Sequence, residues 1–235
     1  MQNLFDAKYC AWKNWNPESF GHLSKSDEAY FDLEFARTGI TGSSSVLSLE
    51  IGFGSGTFLS YLKKFGGRTL GVEVNSTLLA EASKRGHEVF SSVEIVPTNL
   101  QFDLIAAFDV LEHLSTSELI ALFTKVYSML KSGGVFLARF PNGDSPFGRI
   151  YQHGDLTHVS TIGSYKLEEL AKMNGFQILF CGPPAIPWRS VGLFRGIKRL
   201  ISATLRRAIE FPLRKLYFGG KNINFDSNMV AILKK

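Results

Sequence analysis

The sequence is poor in cysteine. Cys10 and Cys181 are the only two in 235 residues, which argues against a disulfide framework and against a zinc cluster. The start of the chain, Met1-Gln2-Asn3-Leu4-Phe5-Asp6, has no basic stretch leading into an apolar one, so no signal peptide is expected. No uninterrupted apolar run reaches the ~20 residues of a spanning helix. The expected compartment is therefore the cytoplasm. Charge is not extreme either: 20% charged and 45% hydrophobic residues describe a folded globular chain. Its length suits one domain with appendages.

The formal net charge of +5 is unevenly spread. Residues 189–221 hold nine Lys/Arg and a single acid, Glu210, whereas residues 1–188 are net −4. The basicity belongs to one segment, which argues against a nucleic-acid-binding fold and for one localised basic surface.

The organising stretch is Val46-Leu47-Ser48-Leu49-Glu50-Ile51-Gly52-Phe53-Gly54-Ser55-Gly56. A short apolar run reads as a buried parallel strand, and a helical pattern opens at Thr57. Glycines at the strand exit allow a tight turn and close backbone approach to a ligand. The following helix offers unpaired N–H groups and the positive end of its dipole. The spacing is not the dinucleotide pattern G-x-G-x-x-G. A carboxylate at the strand end suits a ligand with an amino group and would repel a pyrophosphate.

Arg68–Val74 reads as a second strand, with Glu73 placed 17 residues after Gly56. An acid there is positioned for ribose hydroxyls. A helix over Ser76–Arg85 and a third strand near His87–Phe90 follow. Phe102–Leu114 then contains a fourth strand ending at Asp109, with Glu112-His113 within a turn. Ser115–Glu118 looks like a helix start, and the helix runs to Leu130. Lys131-Ser132-Gly133-Gly134 precedes a fifth strand at Val135–Asn142.

Together, Glu-x-Gly-x-Gly-x-Gly, Gly-Val-Glu, Phe-Asp-Leu-Ile…Asp-Val-Leu-Glu-His and Leu-Lys-x-Gly-Gly resemble the class I S-adenosylmethionine-dependent methyltransferases over residues 46–142. The resemblance implies a doubly wound α/β fold with a mostly parallel seven-stranded sheet. It implies S-adenosylmethionine held by Glu50, Gly52, Gly54, Gly56, Glu73, Phe108, Asp109 and His113, with Glu112 and His113 facing the site's mouth. Many members carry an acid after the third strand to meet the adenine amino group. This chain has Ser91-Ser92, so Ser92 or a backbone carbonyl takes that place.

The loop from Pro141 to about Ile162 borders the acceptor side, because ligands of open α/β sheets sit outside the strands' carboxyl ends. Gly154–Val159, Lys166–Leu170 and Asn174-Gly175-Phe176 resemble bacterial methyltransferases encoded with surface-polysaccharide and lipid-linked sugar enzymes. A hydroxyl acceptor needs a proton acceptor, and imidazole, with a free pKa of about 6.5, suits it. His158, oriented by Asp155, is the first candidate and His153 the second. These three could instead hold a divalent metal, but without a further carboxylate no metal is expected.

Residues 1–40 are aromatic-rich, with Tyr9, Trp12, Trp15, Phe20, Tyr30, Phe31 and Phe35. They read either as a lid over a sulfonium or as apolar glue for an N-terminal extension. Residues 41–235 form the methyltransferase domain. Within it, Leu193–Ile209 has Leu, Phe and Ile at helical spacing with Arg and Lys between, broken at Phe211-Pro212. This basic amphipathic insertion, about 189–221, precedes a last strand at Asn228–Leu233. It suits an anionic membrane surface, a core contact or a dimer contact. The expected reaction is O-methylation of a sugar or glycolipid precursor hydroxyl at the inner membrane face. The alternatives are a phenolic or quinone-precursor acceptor, or a non-catalytic membrane-associated S-adenosylmethionine-binding protein. No nucleic-acid partner is expected.

Overall fold

The structure is a computed structural model that describes residues 17–41, 45–64, 66–187, 193–221 and 223–235. Tyr9, Trp12 and Trp15 lie outside the described residues. The elements run α1 (Lys25–Arg37), β1 (Leu47–Ile51), α2 (Thr57–Lys64), β2 (Arg68–Val72), α3 (Ser76–Lys84), β3 (Glu88–Phe90) and β4 (Phe102–Phe108). They continue with α4 (Thr116–Met129), β5 (Leu130–Pro141), α5 (Arg149–His153), α6 (Ser164–Asn174), β6 (Gln177–Gly182), α7 (Leu193–Tyr217) and β7 (Asn228–Lys234).

The seven strands form one sheet in the order β3-β2-β1-β4-β5-β7-β6. β1 to β5 pair in parallel, and β7 enters antiparallel between β5 and β6. Strand periodicity explains the two-sided cover, since successive side chains point to opposite faces. On β4 and β5, Ile105, Ala107, Phe136, Ala138 and Phe140 join α4 and α6 residues such as Phe123 and Leu167 in one core. Leu104, Ala106, Val135 and Leu137 face the other way, toward Phe31 and Phe35 of α1 and Phe58, Tyr61 and Leu62 of α2. The doubly wound reading holds.

Local chemistry sets the helix starts. Ser24 and Asp27 form a capping box at the start of α1. Ser115 and Glu118 form another at α4, as the sequence indicated.

Two boundaries differ from the sequence reading. β5 starts at Leu130, because Lys131–Gly134 runs as strand instead of turn. Gly133 takes φ +79, and backbone bonds to Lys235 from Gly133 and Gly134 hold the segment beside the end of β7. Second, α7 continues through Pro212 to Tyr217. Proline removes one ladder bond and normally breaks a helix. Here an ion pair from Arg214 to Glu210 (2.9 Å) spans the weak point.

The aromatic residues of α1 that are described are mainly adhesive. Phe31 lies 4.8 Å from Phe58, 5.2 Å from Tyr61 and 5.6 Å from Phe108, ring centre to ring centre. Tyr61 also donates to Asp32 of α1 (2.9 Å). Phe31→Ala should therefore destabilise the protein by about 3–5 kcal/mol, read by urea unfolding. A loss of under about 1 kcal/mol, the scale of a surface change, would mean that α1 is not part of the core.

Candidate functional site

The carboxyl ends of β1, β2, β4 and β5 meet around the glycine turn. Gly52, Gly54 and Gly56 have φ of +70, +49 and +72. Two of them have tight neighbours. A Cβ on Gly52 would lie 2.4 Å from Val110 Cγ2, and one on Gly56 would lie 2.3 Å from the Phe20 ring. The first glycine thus lets the turn after β4 close in. The third seats an aromatic ring from the segment before α1, whose Gly21 amide also donates to the Ser55 carbonyl.

Glu50 and Glu73 are both buried here. Burial, then the nearby Glu73 charge, pushes the Glu50 carboxyl well above the usual range, while a Leu59 backbone bond pulls the other way. Its Oε2 is buried with no hydrogen-bond partner among the described residues. Glu73 accepts the Gly54 amide on Oε2 and the Asn75 amide on Oε1, both at 2.9 Å. It pins the glycine turn to the start of α3. Ser92 precedes the 3-10 turn Val93–Ile95 in extended conformation, with its side chain not used as a cap.

Asp109 is the one non-glycine residue with positive φ (+56) among the described residues. Left-handed backbone is uncommon outside glycine and concentrates at functional positions. Its amide donates to the Arg139 carbonyl (2.8 Å), and its carboxylate takes a two-pronged bond from the Arg139 guanidinium. Burial opposes the Arg139 charge, but Asp109 and Tyr30 hold it above its ordinary value. Burial in turn pushes the Tyr30 phenol up to about 12, against the pull of Arg139. Phe108 packs between the Phe58 ring (4.6 Å) and the Arg139 guanidinium (5.2 Å). Sequence reasoning missed Arg139, and named Tyr30 only among the aromatics of the N-terminal segment. The available signal was a lone cation inside the apolar run Val135–Phe140.

A second cluster joins the turn after β4 to the loop after β5. The Glu112 carbonyl accepts the Val159 and Ser160 amides (2.9 and 3.0 Å), and Ser160 Oγ donates to the Leu114 carbonyl. His158 is nearly buried. Its Nδ1 lies 3.1 Å from the Gln152 carbonyl, and its Nε2 faces Asp155 Oδ2 (3.6 Å) and Glu112 Oε1 (3.8 Å). The carbonyl favours a proton on Nδ1, which leaves Nε2 to take a second proton between two carboxylates. His113 stands edge-on, 4.7 Å from His158, with Nδ1 bonded to Thr157 Oγ1 (3.0 Å).

Not all of the expected arrangement appears. Glu112 is turned inward and buried, so of the Glu-His pair only His113 lies near the surface. The reason is the stitch just described, which draws the Glu112 backbone and side chain under the loop. His153 is exposed at the end of α5 and shares no described bond with Asp155 or His158. Glu112, His113 and His158 offer donor atoms within 4.8 Å of one another, close enough to share a cation as well as a proton.

An open, mostly parallel sheet with an acid-glycine turn, a second-strand acid and a fourth-strand Asp defines the class I methyltransferase architecture. The family model described as "Methyltransferase domain" matches residues 32–179, and the chain belongs to this family. The fold is shared with solved structures of low sequence identity. A SAM-dependent methyltransferase from Archaeoglobus fulgidus is 19% identical with a TM-score of 0.59, covering 100% of this chain and 95% of that one. A putative sarcosine dimethylglycine methyltransferase from Galdieria sulphuraria is 17% identical at TM-score 0.61, covering 100% and 98%. A cyclopropane synthase from Mycobacterium tuberculosis is 17% identical at TM-score 0.58, covering 89% and 84%. No curated protein matches the chain in sequence.

The enzyme is a methyltransferase that uses S-adenosylmethionine. The site's chemistry fits this cofactor. The buried Glu50 oxygen, without a partner among the described residues, leaves room for a ligand's polar group, and a Cβ would obstruct the turn at Gly52.

Glu50 yields a pH prediction. A carboxyl whose folded pKa is raised favours the protonated form. Its stability contribution is present below the unfolded value and is lost as pH rises through the raised folded value. The thermal midpoint of unliganded Glu50→Gln should therefore gain on wild type as pH goes from acid to alkaline, while S-adenosylhomocysteine binds about ten-fold or more weakly. Parallel midpoint curves across that range would refute the account of Glu50.

Proposed function

We propose that the enzyme O-methylates a hydroxyl of a sugar or glycolipid precursor while docked on the anionic cytoplasmic face of a membrane. The observation that carries this reading is α7. Phe194, Leu205 and Leu216 are 88%, 59% and 77% exposed, and Ile197, Ile201 and Ile209 line up with them. Arg and Lys residues flank this stripe. Exposed apolar surface of this extent beside cations marks an interaction site, and an in-plane amphipathic helix is the matching device. No helix among the described residues is long and apolar enough to cross a membrane.

The bound cofactor supplies a methyl group on cationic sulfur. The chain's residues do the rest. Glu50 meets the amino group, Glu73 the ribose, and Ser92 borders the adenine. Phe108 and Asp109, locked by Arg139, wall the reacting side. His158 takes the acceptor's proton, and Asp155 and Glu112 stabilise the imidazolium that forms. His113 is the cluster's outward member. His153 plays no part in this arrangement. The segment before α1 covers the turn through Phe20.

Two measurements test the reading. His158→Ala should lose at least ~100-fold in turnover, the usual scale of a general base, with S-adenosylhomocysteine affinity kept. Full turnover would remove His158 from the chemistry. In co-sedimentation with anionic vesicles, binding should fall with added salt and collapse in Ile201→Glu/Leu205→Glu. Equal binding to neutral vesicles, or no binding at all, would sink the membrane reading.

A further inference from the structure

The insertion does more than expose an apolar stripe, because its other side roofs a cleft of about 1160 Å³. The cleft lies between α1, the segment Gly182–Pro187 and α7. Its lining holds six cations, Arg37, Lys198, Arg199, Arg206, Arg207 and Arg214, against three carboxylates, Asp27, Glu210 and Asp226. Three of the cations are matched locally. Arg206 pairs with Asp226 (3.3 Å), Arg214 with Glu210 (2.9 Å) and Arg37 with Glu34 (2.9 Å). Arg199 bonds neutral oxygens instead, the Pro187 carbonyl at 2.9 Å and the Ser26 hydroxyl at 3.5 Å. Lys198 and Arg207 make no ion pair among the described residues.

One end of this cleft reaches the reacting side. Tyr30 lines it, and the Tyr30 ring lies 5.7 Å from the Arg139 guanidinium that clasps Asp109. Asn224 and Asp226 also line it, and their carbonyls accept the Asn142 side-chain amide at the end of β5 (2.8 and 2.9 Å). The cleft therefore runs from the carboxyl ends of β4 and β5 outward beneath α7.

We infer that this cleft binds a phosphate or diphosphate group carried by the methyl acceptor, with Arg199 and Arg207 as its ligands. This narrows the hydroxyl-methylating reading above and rests on it. A surplus of cations along concave walls focuses positive potential onto whatever enters. Guanidinium forks match phosphate oxygens in pairs. Residues 199 and 207 are about 12 Å apart along the helix axis and about 80° apart around it, so two long side chains on one side of α7 can close on a diphosphate. An uncharged sugar would leave both guanidinium groups without an anion. Arg199 and Arg207 then hold the anionic group, and the exposed apolar stripe of α7 meets its lipid chain.

The test is calorimetric titration of the full chain with inorganic pyrophosphate at low salt. Saturable binding is expected, about ten-fold weaker in Arg199→Gln and in Arg207→Gln. It should be unchanged in Lys215→Gln, which removes the same charge from α7 outside the cleft. S-adenosylhomocysteine affinity should stay at the wild-type value in all three, which separates this site from the cofactor's. Undiminished pyrophosphate binding in the two Arg variants, or equal weakening in Lys215→Gln, overturns the cleft site. A wild type that takes pyrophosphate and not S-adenosylhomocysteine overturns the link to a methyl acceptor. Competition against pyrophosphate identifies the source: a soluble sugar phosphate, or a diphosphate-linked lipid in vesicles. Competition by neither overturns the assignment to the acceptor.

Discussion

Two buried carboxylates at neighbouring strand ends set the character of this site. The influences acting on Glu50 are burial, the charge of Glu73 and one backbone bond from Leu59; no cation is among them. Burying charge without a partner is costly, and burial accordingly shifts the Glu50 carboxyl upward, toward its protonated form. Glu73 is treated differently, with an amide on each oxygen. The pair is thus asymmetric, one acid fixed by backbone donors and one held in reserve. A ligand bearing an ammonium resolves the conflict, so the destabilised ground state of the protein becomes selectivity for its cofactor.

The rest of the sheet divides its work around that point. β1, β2 and β4 border the glycine turn, while β5, β6, β7 and the insertion lie on the other side of the sheet. The seam between the halves is Asp109 with Arg139, adjacent strands joined by a backbone bond and a charged fork. Strained backbone at Asp109 persists because both bonds determine it. The second tie, from Glu112 to Val159 and Ser160, fixes the loop after β5 to the turn after β4. That loop is long, and its anchoring through Asn142, Ser145 and Gln152 explains how it holds His158 still.

What the sequence revealed follows from the range of the interactions involved. The glycine turn, Glu73, the fourth-strand motif and the α4 capping box are local features, and each was legible. Tyr30 with Arg139 joins residues more than a hundred positions apart, and no periodicity announces such a pair. The inward turn of Glu112 and the separation of His153 from His158 depend on how the loop folds back. Pro212 misled for a similar reason: its local rule predicts a break, whereas the Glu210–Arg214 pair spans it. Ser92 was readable only as a departure, because a missing acid does not say what replaces it.

The orientation of α7 is the last constraint. A helix that only needed solubility would turn its cations to water and its apolar residues to the domain. Here much of the apolar stripe is exposed while Arg199, Arg206 and Arg214 line the cleft. Of these, Arg199 and Arg214 are half-buried, and a cation partly withdrawn from water calls for counter-charge. The chain supplies it in part, since the acids on the lining are half as many as the cations. The same accounting that leaves Glu50 short of a cation leaves this cleft short of an anion. The two deficits have opposite sign and lie on opposite sides of the Asp109–Arg139 seam, which suits an enzyme that brings a cationic methyl donor to an anionic acceptor.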